Sequence, residues 1–198
     1  MSSTEHPFQQ KEELVVKVLG FSGSPKKGSN TEQLVRKVLE GAERKGATTK
    51  LHNLAKMDIS GCKGCLVCRK EGTCSIKDDM QEIVAEIKSS DAIVIGSPIY
   101  MMQMASQTKA FVDRLFPLIK ADYTSVLKEG TKAAWVFTQG TADTDAFRAY
   151  FDHNESMFGY FGFSVEKTLV VGNTRAKGDL EKQEAKMEEA LELGGKLV

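Results

Sequence analysis

Apolar positions along the chain gather in short, nearly unbroken runs at Val15–Phe21, Ala92–Gly96, Ala133–Thr138 and Phe163–Val171, with a weaker run at Thr48–Leu54. β-Branched and aromatic residues dominate the first four. Continuous hydrophobicity of this length predicts parallel strands covered on both faces, since a sheet with one wet face would show a polar residue at every second position. Between the runs, apolar residues recur at helical spacing. They predict helices over Thr31–Lys45, Asp79–Ser89, Ser106–Lys120, about Thr144–Phe161, and Asp179–Lys196. In the third helix Phe111, Leu115 and Leu118 share an inward face, while Lys109 and Asp113 pair four residues apart on the exposed one.

Strand and helix therefore alternate five times, the pattern of a doubly wound α/β sheet with helices on both faces. Five parallel strands predict the flavodoxin-like order 2-1-3-4-5, whose ligands sit beyond the carboxyl ends of strands 1 and 3. Chemistry is accordingly expected in the loops that follow strands 1, 3 and 4. No repeat or Pro/Gly/Ser-rich linker divides the chain. We read residues 1–13 as a flexible polar arm and 14–198 as one domain, with a cysteine-rich insertion loop at 60–78.

Composition narrows the function classes. With 41% hydrophobic and 27% charged residues the chain is suited to a packed core and not to disorder. Its 27 basic and 27 acidic side chains cancel, so no net field draws it to nucleic acid or to anionic lipid. No apolar run approaches the roughly 20 residues that span a bilayer. The opening MSSTEHPFQQKEE has no hydrophobic signal core, and a cytoplasmic location is expected. In a reducing compartment four cysteines read as ligands or redox groups and not as structural disulfides.

The first informative loop, GFSGSPKKGSNT at 20–31, leaves a buried strand and enters a helix. Its small residues allow close approach of a ligand, and Ser22, Ser24, Ser29, Asn30 and Thr31 supply neutral donors beside free helix N–H groups that favour phosphate. Gly23 and Gly28 have P-loop spacing, but Ser29 and Asn30 replace the Lys-Ser/Thr that nucleotide hydrolysis requires, and no G-x-G-x-x-G follows. A Ser/Thr-rich loop suits a terminal phosphomonoester. Ordinary helix capping, with Ser29 at the N-cap and Glu32 three residues on, explains the same residues.

All four cysteines fall in GCKGCLVCRKEGTC at 61–74, a C-x2-C-x2-C-x5-C run. Cys62, Cys65 and Cys68 at this spacing suit one side of an iron–sulfur cubane and Cys74 completes four thiolates. Gly61, Gly64 and Gly72 permit the backbone angles of a tight wrap. Zinc usually joins two C-x2-C pairs across a longer separation. A thiol–disulfide switch and four unligated thiols remain open readings. Just beyond the run, Asp79 with Glu82 is expected to cap the next helix.

After strand 3, Pro98 stiffens a turn, and Ile99, Tyr100, Met101 and Met102 offer apolar surface to a flat ring or to a second subunit. After strand 4, Thr138, Gln139 and Gly140 offer hydrogen bonds and close approach. Trp135 lies within strand 4 and is assigned to the core. Phe151, Phe158, Tyr160 and Phe161 suit either the core or a subunit interface. His6, His52 and His153 form no dyad, and each is expected on the solvated surface.

Together, GFSGSPKKGSNT, GCKGCLVCRKEGTC, GSPIYMMQMASQTKAFVDR and TQG resemble the iron–sulfur flavoproteins, a branch of the NAD(P)H-dependent FMN reductase group within the flavodoxin-like superfamily. The resemblance covers residues 15–175 or so, and the cysteine run points to the iron–sulfur branch. It implies that Ser22, Ser24, Lys26, Ser29, Asn30 and Thr31 hold the FMN phosphate. Pro98, Ile99, Tyr100, Met101, Met102, Thr138, Gln139 and Gly140 would line the isoalloxazine. Cys62, Cys65, Cys68 and Cys74 would ligate a 4Fe-4S cluster in a homodimer or homotetramer. Tyr100-Met101-Met102 departs from the aromatic-Gly-small pattern of many relatives, which bears on the ring contacts.

On that resemblance the expected function is electron transfer from a ferredoxin-like donor through cluster and FMN to quinone, oxygen or peroxide, with the chemistry borne by the cofactors and no catalytic side chain. Alternatives are an NAD(P)H-dependent FMN or quinone reductase with vestigial cysteines, a non-catalytic carrier or redox sensor, and a zinc-stabilised binding module.

Overall fold

The computed structural model describes residues 15–198. The expected arm at 1–13, with His6, lies outside the described residues. Strands β1 (Lys17–Ser22), β2 (Thr48–Asn53), β3 (Ala92–Tyr100), β5 (Lys132–Thr138) and β6 (Ser164–Val171) form a parallel sheet in the order β2-β1-β3-β5-β6. This is the order expected from the alternation of elements. A sixth strand, the two-residue β4 (Gln103–Met104), was not expected. It folds back antiparallel onto the end of β3, pairing Ile99 with Met104 and Tyr100 with Gln103.

Helices α1 (Asn30–Glu43) and α6 (Glu184–Lys196) cover one face, packed on Val18, Val94 and Val136. They cross closely enough that a β-carbon on Gly194 would lie 1.8 Å from the Val38 carbonyl oxygen. Helices α3 (Met80–Lys88), α4 (Ser106–Asp113) and α5 (Arg148–Phe161) cover the other, packed on Leu19, Phe21, Ile93, Ile95, Trp135 and Phe137. Alternation along each central strand thus sends small residues to one layer and large ones to the other. Trp135 is fully buried, stacked on Phe137 at 5.2 Å and edge-on to Phe158 at 4.7 Å. Phe151, Phe158 and Phe161 belong to the same layer, whereas Tyr160 is exposed.

Several boundaries differ from the helical pattern for local reasons. The expected helix 106–120 ends at Asp113 and resumes as a single 3-10 turn at Phe116–Leu118, because Pro117 cannot donate into a continuing helix. Phe111, Leu115 and Leu118 are nonetheless buried, and Lys109 pairs with Asp113 at 2.5 Å. Helix α6 begins five residues late, since Asp179 and Leu180 are engaged in loop bonds to Ala176 and Asn30. A short helix inside the cysteine loop, α2 (Val67–Glu71), escaped the periodicity. Asp79 occupies the N-cap position of α3, as expected, but its side chain makes no capping bond. Its carboxylate accepts from the Asp58 amide, and the neighbouring Asp78 takes the Met80 amide instead.

Candidate functional site

The carboxyl ends of β1, β3, β5 and β6 enclose a cavity of about 330 Å³, within the range of small-molecule sites. Its walls unite the three loops singled out by the sequence: Ser24, Lys26, Ser29, Asn30 and Thr31 from the first, Pro98, Ile99 and Tyr100 from the second, and Thr138, Gln139 and Gly140 from the third.

Helix capping and cavity formation turn out to be compatible. The Ser29 hydroxyl accepts from the Glu32 amide at 3.2 Å, and the Glu32 carboxylate accepts from the Gly28 amide at 3.0 Å, one residue before the position a capping box would use. Burial alone would raise the Glu32 carboxyl. The Arg36 guanidinium, 2.8 Å away, and the Gly28 amide outweigh it and hold the group below its ordinary value.

Two of the expected phosphate donors are committed to neighbouring loops. Asn30 Nδ2 donates to the Ala176 carbonyl at 2.8 Å and to that of Thr174 at 3.4 Å, while its Oδ1 accepts from the Leu180 amide at 3.3 Å. The Thr31 and Thr138 hydroxyls bond each other at 2.6 Å, tying the first loop to the third. That leaves Ser24, Ser29, Lys26 and the first amides of α1 facing the cavity.

Three expected residues stand apart. Ser22 is fully buried in β1, with its hydroxyl unpartnered, and does not line the cavity. Met101 and Met102 are 94% and 70% exposed at the tip of the β3–β4 hairpin. The antiparallel return of β4 turns them outward, with φ of 46° and 68°, the backbone sign a tight hairpin turn requires of both central residues. Only the base of that hairpin, Pro98 to Tyr100, reaches the cavity.

One wall was missed from sequence. Lys27 and the segment Thr174, Arg175, Ala176 and Lys177, which follows the last strand, complete the lining. The available signal was its position, since GNTRAKG at 172–178 leaves a parallel strand at the same sheet edge and carries two cations. Among the described residues the lining holds Lys26, Lys27, Arg175 and Lys177 and no carboxylate.

The wall also contains a buried acceptor with no partner. Gln139 is 3% exposed; its Nε2 donates to the Asp143 carbonyl at 2.6 Å, but its Oε1 bonds nothing. Such an orphan invites a ligand N–H or O–H. A flavin carries both an imide N–H and ribityl hydroxyls, and its phosphate meets cations and helix amides here, so the residues present fit FMN.

The cysteines lie in a separate loop between β2 and α3. Cys62 and Cys65 are exposed, Cys68 and Cys74 half-buried, and all four are free thiols. Gly64 and Gly72 take φ of 63° and 69°, which favours glycine, and Leu66 adopts φ 58° while 57% exposed. Burial, then the charges of Cys74, Cys62 and Cys65, pushes the Cys68 thiol up. The Ser75 hydroxyl, 3.3 Å from Cys65 Sγ, lowers that thiol. Among the described residues no three His, Cys, Asp or Glu side chains converge closely enough for a single ion. The donor chemistry, four soft thiolates in one wrap, fits an iron–sulfur cluster, whose ligands stand further apart than those of one ion.

The ends of this loop are firmly held. Arg114, 1% exposed in its side chain, makes paired bonds to Asp78 at 2.7 and 2.8 Å and a third to the Ser60 carbonyl at 2.7 Å. Burial by itself would raise the Asp78 carboxyl, but Arg114 and the Ser60 amide hold it below its ordinary value. Arg69 packs over the Tyr123 ring at 4.3 Å and donates to the Ala121 carbonyl at 2.8 Å. None of these anchors was legible beforehand, because each partner is remote in sequence.

His52 is not on the surface as expected. It is 8% exposed, stacked on Phe21 at 5.2 Å, with Nε2 2.8 Å from Glu86. The pleat of β2 turns it inward. His153 is exposed.

A parallel sheet in this order, with a cation-lined cavity at its carboxyl edge, defines a flavodoxin-like protein. The NADPH-dependent FMN reductase family matches residues 16–147, more than half of the chain, and the protein belongs to that family. An iron-sulfur flavoprotein of Methanocaldococcus jannaschii is 41% identical over 103 residues, covering 52% of this chain and 53% of its own. One from Methanosarcina thermophila is 35% identical over 115 residues, 58% and 60% of the two chains. The chain thus spans about half the length of the curated relatives it matches. The fold is similar to that of an NAD(P)H:quinone oxidoreductase from Methanothermobacter marburgensis, with a TM-score of 0.71 at 16% identity over 92% and 97% of the chains. An FMN-dependent NADH-azoreductase from Bacillus anthracis in complex with FMN gives 0.70 at 18% identity over 92% and 99%. Among the described residues no helix is long and apolar enough to cross a membrane.

Proposed function

We propose that the protein is a flavin-dependent oxidoreductase that binds FMN in the cavity at the carboxyl edge and a 4Fe-4S cluster on Cys62, Cys65, Cys68 and Cys74. The observation that carries this reading is the cavity itself, whose lining joins Lys26, Lys27, Arg175 and Lys177 to the serine-rich start of α1, to Gln139 and to the apolar base of the β3–β4 hairpin. When bound, a flavin exchanges electrons singly or as hydride and a cubane exchanges them singly, so together they join a one-electron donor to a two-electron acceptor.

The chain's own residues bind and orient. Ser24, Ser29 and Lys26 would hold the phosphate, Ile99 and Tyr100 would pack on the ring, and Gln139 Oε1 would accept a flavin N–H or O–H. No side chain in the lining is required as nucleophile or base. A ferredoxin-like protein or NAD(P)H would supply electrons, and a quinone, oxygen or peroxide would take them. The iron-sulfur flavoprotein names of the relatives support the cluster.

Anaerobically prepared protein should show flavin absorbance together with iron and acid-labile sulfide, and substitution of all four cysteines by serine should remove the iron and leave the flavin. Flavin without iron, even after reconstitution, would leave a simple NAD(P)H-dependent FMN or quinone reductase. The exposure of Cys62 and Cys65 favours that second reading.

A further inference from the structure

Thiolate ligands fix where a cluster sits, but the groups around the sulfurs tune it. A hydrogen bond to a ligating sulfur favours the form that carries more negative charge. Two of the cysteine sulfurs already have a polar neighbour in place. Cys62 Sγ accepts from the Gly64 amide at 3.4 Å, a backbone bond within the turn itself. Cys65 Sγ lies 3.3 Å from the hydroxyl of Ser75, ten residues further along the chain.

Ser75 presents that hydroxyl from a held stretch of backbone. The Cys74 carbonyl just before it accepts from Gln81 Nε2 on α3 at 3.1 Å, and Ile76 just after it is half-buried. Two residues further on, Asp78 is paired with the buried Arg114 guanidinium. Cys65 belongs instead to the exposed stretch that contains Gly64 and Leu66. The contact therefore joins the anchored margin of the loop to its exposed centre. Between a thiol and a hydroxyl either group can donate. A thiolate that ligates metal has no proton, so its bond with Ser75 can run in one direction alone, from the hydroxyl to the sulfur.

We propose that Ser75 is an outer hydrogen-bond donor to the Cys65 thiolate and that its hydroxyl raises the reduction potential of the cluster held by the four cysteines. The inference rests on the cluster part of the proposed function and adds to it a residue that ligates nothing. Reduction brings one electron from an external donor and breaks no bond; the hydroxyl keeps its proton. The added negative charge spreads over the sulfurs, and at Cys65 it meets the positive end of the Ser75 O–H dipole.

The test is a redox titration with dithionite of anaerobically reconstituted protein, followed by the EPR signal of the reduced cluster, for the wild-type chain, Ser75→Ala and Ser75→Thr. Iron and acid-labile sulfide are determined on each. Ser75 is exposed, so neither substitution opens a cavity in the core. In Ser75→Ala the reduction equilibrium should move about fivefold toward the oxidised form, which at about 59 mV per decade for one electron lowers the midpoint by about 40 mV. Ser75→Thr keeps the hydroxyl and should return the midpoint to the wild-type value. An unmoved midpoint in Ser75→Ala, at wild-type iron content, overturns the inference. Equal shifts in both variants do so too, since the hydroxyl is then not their cause. Loss of iron from Ser75→Ala would make the bond a tie that shapes the loop, and would equally remove its effect on the potential. A wild-type protein that takes up no iron removes the cluster and this role of Ser75 together, and leaves flavin binding standing.

Discussion

The cavity and the cysteine loop adjoin the same sheet and are built in opposite ways. The cavity's loops leave the regular ends of strands and are bonded to one another, Thr31 to Thr138 and Asn30 to three points on the last loop, so its shape exists without a ligand. The cysteine loop is held at its margin by Asp78 and Arg114 and at one point within it by Arg69, while the stretch around Gly64 and Leu66 is exposed and carries positive-φ backbone. A preorganised pocket binds with little ordering, whereas on the proposed function an exposed loop would take its final shape from the cluster its thiolates would hold. If the proposed function holds, protein freed of flavin should keep its fold, while protein freed of iron should be looser at residues 61–74.

The largest expected effect falls on the anchor. Asp78→Asn leaves Arg114 buried without its counter-charge and should lower unfolding stability by about 3–5 kcal/mol in urea titrations. The cysteines should then also react faster with thiol reagents. A loss below about 1 kcal/mol would mean that the pair does not anchor the loop.

The same pair sets an acid dependence. The folded-state value of Asp78 lies below its ordinary one, so its contribution is whole above the ordinary carboxylate range and fades as pH falls through the lowered folded value. Urea midpoints measured against pH should fall more steeply on the acid side for wild type than for Asp78→Asn. Parallel curves would remove Asp78 as the source.

Within the cavity, Thr138→Val leaves the buried Thr31 hydroxyl without its partner and should reduce stability by about 1–3 kcal/mol. Because that bond ties two loops of the site, FMN affinity should drop too. A variant of wild-type affinity would show that the loops keep their places without it.

Arg69→Ala removes a mostly surface contact and should lower stability by only about 0.5–1 kcal/mol. Limited proteolysis within 61–74 should nevertheless accelerate visibly. If cleavage instead rises in residues 173–178, the contrast between the two regions fails.

Much of this was legible in the chain, and unevenly so. Unbroken apolar runs separated by helical spacing specify strands covered on both faces, and the alternation leaves one sheet order and one ligand edge. Within the site, residues on loops that directly follow strands were found, because a parallel strand delivers its next residues to that edge. Ser22 was misplaced by one strand position, and Met101 and Met102 by a hairpin too short to show a pattern. His52 looked solvated since its strand, at the sheet margin, has too mixed a sequence to show which side faces in.

Local chemistry alone determined the class of fold, the sheet edge at which the cavity lies and the concentration of thiols in one loop. Tertiary structure decided which donors remain available. Asn30 and Thr31 look like ligands in sequence but are committed to loops more than 100 residues away, and Lys177 joins the cavity wall because Asn30, Gln139 and Gly140 hold its segment there. Hydrogen-bond partners so far apart along the chain leave no trace in periodicity or spacing, since what brings them together is the packing of the sheet and not any neighbouring residue.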